Sequence, residues 1–253
     1  WSSDVCSSDL DYAYYYDLAV RHAEVIDEFI CVADSIKQQL IQLLPHRRAD
    51  INYSRIPVPD LISKAHHNNP SKIAFVGRCE VSKGYLLLPQ IAEELIDQNL
   101  HFEWGIFGQL NNDARNVKWP DQASISFFGE IENEKLIKEL ANYDYILVPS
   151  LAEGMPIAIV ESMKLGIIPI ANNIGGGVQE IIKNEQTGFL IDKNNIIEYV
   201  NCLKFLDYNP IIKEKIKENA KQLANQLFEP NNNTLLIENI RSEEHTSELQ
   251  SRQ

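Results

Sequence analysis

The sequence predicts an α/β protein built on a parallel sheet with helices on both faces. Three observations predict it. Between Ile73 and Leu206, short apolar runs alternate with segments of helical period. The apolar runs are continuous, as strands buried on both faces require. Three of them, closing at Gly77, Gly108 and Gly129, end on a glycine.

The two ends stand apart from this pattern. Residues 1–10 (WSSDVCSSDL) and 241–253 (RSEEHTSELQSRQ) read as translated sequencing-library adapter and are set aside as artefactual flanks. They hold five acidic and two basic residues, which leaves a net charge of −10 on residues 11–240 against −13 for the whole chain. An apolar share of 44% is enough for a core. The negative balance argues against nucleic acid or an anionic membrane surface as the main partner, yet allows a local basic spot for phosphate. Cys31, Cys79 and Cys202 form no C-x-x-C pair and read as buried free thiols of a reducing compartment. No apolar run approaches the roughly 20 residues of a membrane span.

In chain order, Tyr12 to Phe29 is expected as a helix and Phe29 to Ala33 as a buried strand. Asp34-Ser35 offers an N-cap for a helix from Ile36 to about Leu44. Ile51 to Ile56 is a second strand, after which Pro57-Val58-Pro59 forces an extended link. His66-His67-Asn68-Asn69-Pro70-Ser71 is polar and turn-rich. The expected organisation is therefore a remnant of one domain over 11–58, a linker over 59–71 and a second domain over 72–208. A C-terminal helix and tail follow over 209–240.

Within the second domain, strands are expected at Ile73–Gly77, Phe102–Phe107, Ile125–Phe128, Tyr145–Val148, Ile167–Ala171 and Gly188–Ile191. Helices are expected at Tyr85–Gln98, Glu132–Tyr143, Pro156–Leu165, Val178–Lys183 and Ile196–Leu206, with a loop at Asn111–Gln122. Pro210 to Phe228 reads as a last helix with Ile212, Ile216, Leu223 and Leu227 on one stripe, and Asn231-Asn232-Asn233 as a polar turn. In such sheets ligands sit beyond the carboxyl ends of the strands. The loops there are Gly77–Gly84, Gly108-Gln109, Pro149–Pro156 and Asn172–Gly177.

The chemistry centres on Glu153-Gly154-Met155-Pro156-Ile157-Ala158-Ile159-Val160-Glu161. Pro156 suits the first helical position, and no Ser, Thr, Asp or Asn stands before it as a cap. First-turn N–H groups without a side-chain cap suit an anion or an electron-rich oxygen. Glu161 has Ile157, Ala158, Lys164 and Leu165 as helical neighbours, three of them apolar. Either it pairs locally with Lys164, or it accepts hydrogen bonds from a ligand's hydroxyls. Arg78 and Lys83 bring two cations to the Gly77–Gly84 loop, which suits a diphosphate, although two ordinary surface cations would read the same way. Asn172 to Gly177 leaves room for a ligand against backbone or is simply a loose turn. No G-x-G-x-x-G follows a strand, and Ser150 is not in G-x-S-x-G. His66-His67 has no Cys or carboxylate at ligand spacing, so no metal site is expected.

Taken as a set, Phe75-Val76-Gly77-Arg78, Lys83-Gly84, Phe128-Gly129, Pro149-Ser150, Glu153-Gly154-Met155-Pro156, Glu161, Gly166, Gly176-Gly177 and Thr187-Gly188-Phe189-Leu190 resemble the C-terminal half of glycosyltransferase family 4. The two glutamates with seven residues between them are part of that likeness. It covers Ser71 to Leu206 strongly and Phe29 to Pro59 weakly. The resemblance implies a retaining transferase of the GT-B fold, in which two Rossmann-like domains face each other and the C-terminal one binds a nucleotide-sugar. It implies that Arg78 and Lys83 hold the diphosphate and that Glu161 binds the ribose hydroxyls. Glu153, as the catalytic residue, and the N–H groups of Gly154, Met155, Pro156-Ile157 would then meet the donor sugar (proline itself offering none).

It further implies no cofactor and no metal, the nucleotide-sugar being substrate. The acceptor would be a glycan or lipid-linked hydroxyl, with no nucleic acid partner, a cytoplasmic location and a peripheral place at the membrane. Two departures stand out: Pro57-Val58-Pro59 replaces the usual Asn-Gly turn, and most of the N-terminal domain is expected to be missing, leaving a fragment inactive by itself. A nucleotide-sugar epimerase of the same fold and a non-catalytic nucleotide-sugar binding module remain as alternatives.

Overall fold

The computed structural model describes residues 12–62 and 70–229. Both flanks, His66-His67 with Asn68 and Asn69, and Asn231-Asn232-Asn233 lie outside the described residues. The first stretch holds helix α1 (Tyr12–Arg21), strand β1 (Phe29–Cys31), helix α2 (Asp34–Leu43) and strand β2 (Ile51–Tyr53). β1 and β2 pair in parallel, Phe29 against Ile51, over a small core of Ala23, Cys31, Leu40, Leu44 and Ile51. The helix expected from Tyr12 to Phe29 stops at Arg21. Arg47 accounts for the break: its guanidinium donates to the carbonyls of Ala23, Ile26 and Asp27, which an uninterrupted helix would turn inward.

The second stretch contains β3 (Lys72–Val76), α3 (Leu88–Asp97), β4 (Glu103–Phe107), α4 (Asn112–Arg115), β5 (Ser124–Gly129) and α5 (Asn133–Leu140). It continues with β6 (Tyr145–Val148), α6 (Ile157–Lys164), β7 (Ile168–Asn172), α7 (Gly176–Ile181), β8 (Phe189–Ile191), α8 (Ile196–Tyr208) and α9 (Pro210–Leu227). The six strands expected in this stretch are present within a residue or two, whereas the strand expected from Ile51 to Ile56 ends at Tyr53. The one-turn α4 is an addition inside the expected Asn111–Gln122 loop, capped by the Asn111 side chain, which accepts from Ala114 N at 2.9 Å.

The sheet runs β5-β4-β3-β6-β7-β8, parallel at every pairing. Strand order reverses between β3 and β6, so their following loops diverge to opposite faces and leave a crevice at their carboxyl ends. Alternation along the strands divides the core in two. Ile73, Phe75, Tyr145 and Leu147 face α3 and α8, while Ala74, Ile146 and Val148 face α6, α7 and α9. Burying each large aliphatic side chain fully stabilises by about 1.5–3 kcal/mol, so the two layers dominate the fold.

α9 departs from its expected stripe. Its buried residues are Ile216, Lys217, Ala220 and Ala224, whereas Ile212 is exposed. The two alanines face the buried layer shared with α6. At the amino ends of β3 and β6, Asp144 is wholly buried and accepts from Lys72 N at 2.9 Å, Lys213 Nζ at 2.8 Å and Lys217 Nζ at 3.4 Å. Among the described residues, no helix is long and apolar enough to cross a membrane.

Candidate functional site

The loops after β3, β6 and β7 interlock, and glycine permits it at two points. Gly84 has a φ of 71°, and a Cβ there would lie 2.0 Å from the Pro149 carbonyl oxygen. A Cβ on Gly177 would lie 2.1 Å from the Gly154 carbonyl oxygen. Leu151 N donates to Ser82 O at 2.9 Å, stitching the β3 and β6 loops. The Asn172 side-chain amide, at the end of β7, donates to Pro149 O at 2.8 Å and Ser150 O at 3.2 Å, and its carbonyl accepts from the Tyr199 hydroxyl at 3.1 Å. The turn from Pro149 to Pro156 is thus fixed from two sides.

Lys83 and Glu153 meet directly, Nζ to Oε1 at 2.9 Å, both side chains mostly covered. Arg78 lies on the same loop as Lys83 but bonds Glu80 at 3.0 Å, and Glu80 also accepts from the Ser82 hydroxyl at 2.7 Å. The structure therefore joins Lys83 to Glu153 and places Arg78 at the outer part of the same loop, with no direct bond to either.

Pro156, expected as the first helical residue, instead occupies the N-cap position of α6 with φ −77° and ψ 87°, and the helix begins one residue later at Ile157. No side chain caps the helix, so the N–H groups of Ile157 and Ala158 begin it without side-chain acceptors. Gly154 and Met155 lie in the preceding turn.

Glu161 sits one turn further along α6. The local pair with Lys164 does not form. Lys164 is wholly buried and donates to Val58 O at 2.6 Å and Phe228 O at 3.2 Å, with Asp60 Oδ1 at 3.4 Å. Glu161 Oε1 instead accepts from the Asn133 amide at 3.2 Å, at the start of α5. Burial pushes the Glu161 carboxyl above the usual carboxylate range, and the Asn133 hydrogen bond draws it part of the way back. A carboxyl with one amide partner and no cation keeps acceptor capacity for hydroxyl donors.

Asn133, Glu80 and Asn172 escape sequence reasoning because each acts through a partner distant in the chain or through a loop fold. Asn172 carries the one usable signal, an asparagine closing an otherwise apolar strand. The cysteines read correctly: Cys31, Cys79 and Cys202 are free and buried, and burial pushes the Cys79 thiol up to about 12. Among the described residues, no three His, Cys, Asp or Glu side chains gather as a metal site.

Comparison with known proteins identifies the family. The family described as glycosyl transferases group 1 matches residues 60–223. A UDP-Gal:alpha-D-GlcNAc-diphosphoundecaprenol alpha-1,3-galactosyltransferase of Escherichia coli is 31% identical over 144 residues, 53% of this chain and 36% of that protein. An uncharacterized glycosyltransferase of Methanocaldococcus jannaschii is 26% identical over 212 residues, 83% of this chain and 57% of that protein. The matches span 22% to 57% of the lengths of the first three curated relatives. Among solved structures, Anabaena HepE in complex with UDP-glucose superposes with a TM-score of 0.78 at 18% identity, covering 93% of this chain and 70% of that one. TarM superposes at 0.75 with 17% identity, covering 88% and 45%. The fold is thus that of the GT-B neighbours, and the chain belongs to the glycosyl transferases group 1 family.

Proposed function

We propose that this chain is the donor-binding part of a retaining glycosyltransferase, which moves a sugar from a nucleoside diphosphate to a hydroxyl of a glycan or lipid-linked acceptor. The observation that carries the reading is the environment of Glu161. A half-buried carboxyl, held by an amide rather than a cation, stands behind the uncapped start of α6 at the carboxyl edge of the sheet. Such a group accepts well from vicinal ribose hydroxyls.

The other assignments follow the same edge. Arg78 and Lys83 supply positive charge for the diphosphate. The N–H groups at Gly154, Met155 and Ile157 face the donor sugar, as helix-start donors do for oxygen-rich ligands. Glu153 lies against Lys83 and stands beside the reacting carbon. Uridine is the base expected, because the names of the Escherichia coli relative and the Anabaena structure both carry it.

Transfer with retention proceeds on one face. The bond from the anomeric carbon to the diphosphate oxygen breaks, and the acceptor oxygen bonds from the same side. The acceptor proton passes to a leaving diphosphate oxygen. Lys83, Arg78 and the α6 start stabilise the charge that develops there. The reading assigns residues 72–208 to the donor domain and 11–58 to part of the acceptor-side domain. It expects the isolated chain to bind donor weakly and to transfer nothing.

The test is a donor screen on the full-length parent enzyme that measures release of nucleoside diphosphate. Release from a uridine diphosphate sugar only when a glycan or lipid-linked acceptor is present supports the reading. An isomerised free sugar without acceptor would replace it with an epimerase.

A further inference from the structure

The start of α2 is held in an unusual way. Asp34-Ser35 has the composition of a cap, yet Ala33 stands at the cap position and no side chain of α2 closes the helix. Its first two donors go instead to one residue, 146 and 145 positions away. Ser35 N donates to Glu180 Oε1 at 2.9 Å, and Asp34 N donates to Glu180 Oε2 at 3.2 Å. Both carboxylate oxygens are used, one for each amide. A carboxylate at a helix start also meets the positive end of its dipole.

Glu180 lies on α7, whose first residues press on the turn that carries Glu153. Gly177 is in van der Waals contact range of the Gly154 carbonyl, with no room for a Cβ. The space beside Gly176 is bounded by the Glu153 carbonyl oxygen on one side and the Ser35 hydroxyl on the other. That hydroxyl is buried and has no hydrogen-bond partner. The link therefore runs from α2 through Glu180 and α7 to Gly154, whose chain neighbour Glu153 bonds Lys83.

We propose that Glu180 is a positioning residue: its carboxylate ties the start of α2 to α7 and thereby sets the turn that bears Glu153. The consequence is reciprocal, as any coupling between two sites must be. Loosening the tie should loosen the turn, and filling the turn should steady the start of α2. The second half rests on the nucleotide reading above. The first half does not.

The test is hydrogen–deuterium exchange on the chain, followed in peptides covering 33–37, 151–158 and 168–172. The last belongs to β7 and serves as a folding control. Glu180→Ala is expected to raise exchange at least tenfold in both 33–37 and 151–158 while leaving 168–172 unchanged. Glu180→Gln keeps one carbonyl acceptor and is expected to restore part of the protection. Uridine diphosphate at millimolar concentration is expected to slow exchange at 33–37 in the wild type and not in Glu180→Ala.

Faster exchange at 33–37 with 151–158 unmoved would reduce Glu180 to a local cap and overturn the coupling. Unchanged exchange at 33–37 would remove the tie itself. Nucleotide protection confined to 151–158 in the wild type would also overturn the coupling. Nucleotide that protects no peptide would count against the donor site, leaving the coupling to be decided by the nucleotide-free comparison.

Discussion

The two ends of the parallel sheet treat buried charge in opposite ways. At the amino end, Asp144 has a backbone amide and two lysines around it, and every charge has an opposite partner. At the carboxyl end, Glu161 has a single amide, and burial pushes its carboxyl up. The first arrangement holds α9 to the sheet. The second leaves a carboxyl with a single amide partner, which on the proposed reading the hydroxyls of a ligand complete. On the proposed reading, the difference separates residues that keep the molecule together from residues available to a ligand.

The largest effect should come from the satisfied end. Asp144→Ala leaves Lys213 and Lys217 with much of their charge covered and one shared partner gone. Breaking a buried pair in this way costs on the order of 3–5 kcal/mol. Denaturant titration should show that loss, while nucleotide affinity per folded molecule stays unchanged. A large fall in affinity with little loss of stability would erase the contrast between the two ends.

Glu161→Ala should do the reverse. It should weaken uridine diphosphate binding by about 1–3 kcal/mol, as expected for lost hydrogen bonds to a charged group. The midpoint of unfolding should not fall. Calorimetric titration and thermal melts of one preparation decide the point.

Lys83→Ala sharpens the comparison within the carboxyl end. It should weaken uridine diphosphate more than uridine, by about 1–2 kcal/mol of difference, since only the former offers phosphate to the cation. Equal losses for both ligands would place Lys83 outside the phosphate site.

The smallest effect concerns pH. The raised folded-state value of Glu161 means that its contribution to stability is fully present below the ordinary value of 4.5 and is lost as pH rises through the folded value. Glu161→Gln removes that loss. The variant should therefore gain stability relative to wild type above the folded value, and the gain should vanish below pH 4.5. Denaturant midpoints across that range measure it.

Much of the fold was legible because its strands are continuous apolar runs and several loops carry glycine at their first residue. Ile146 and Leu147 need no partner information to be read as buried. The candidate site was legible as a set of charged residues and illegible in their partners. Sequence reasoning pairs Glu161 with Lys164 because helical neighbours are the pairs it sees. The fold instead turns Lys164 toward Val58 and Phe228, 106 and 64 residues away, and brings Asn133 to Glu161. Asp34-Ser35 reads as a cap for the same reason, whereas the cap comes from Glu180. Pairings of this kind depend on strand order, which the reversal between β3 and β6 sets and no local pattern announces.

The most direct test of the account is to titrate the full-length enzyme and its Glu161→Ala variant with uridine diphosphate and with the 2′,3′-dideoxy analogue. The account predicts that the variant binds uridine diphosphate about tenfold more weakly or worse, about 1.4 kcal/mol or more, and binds the dideoxy analogue as the wild type does. An equal loss for both nucleotides would contradict the claim that Glu161 grips the ribose hydroxyls.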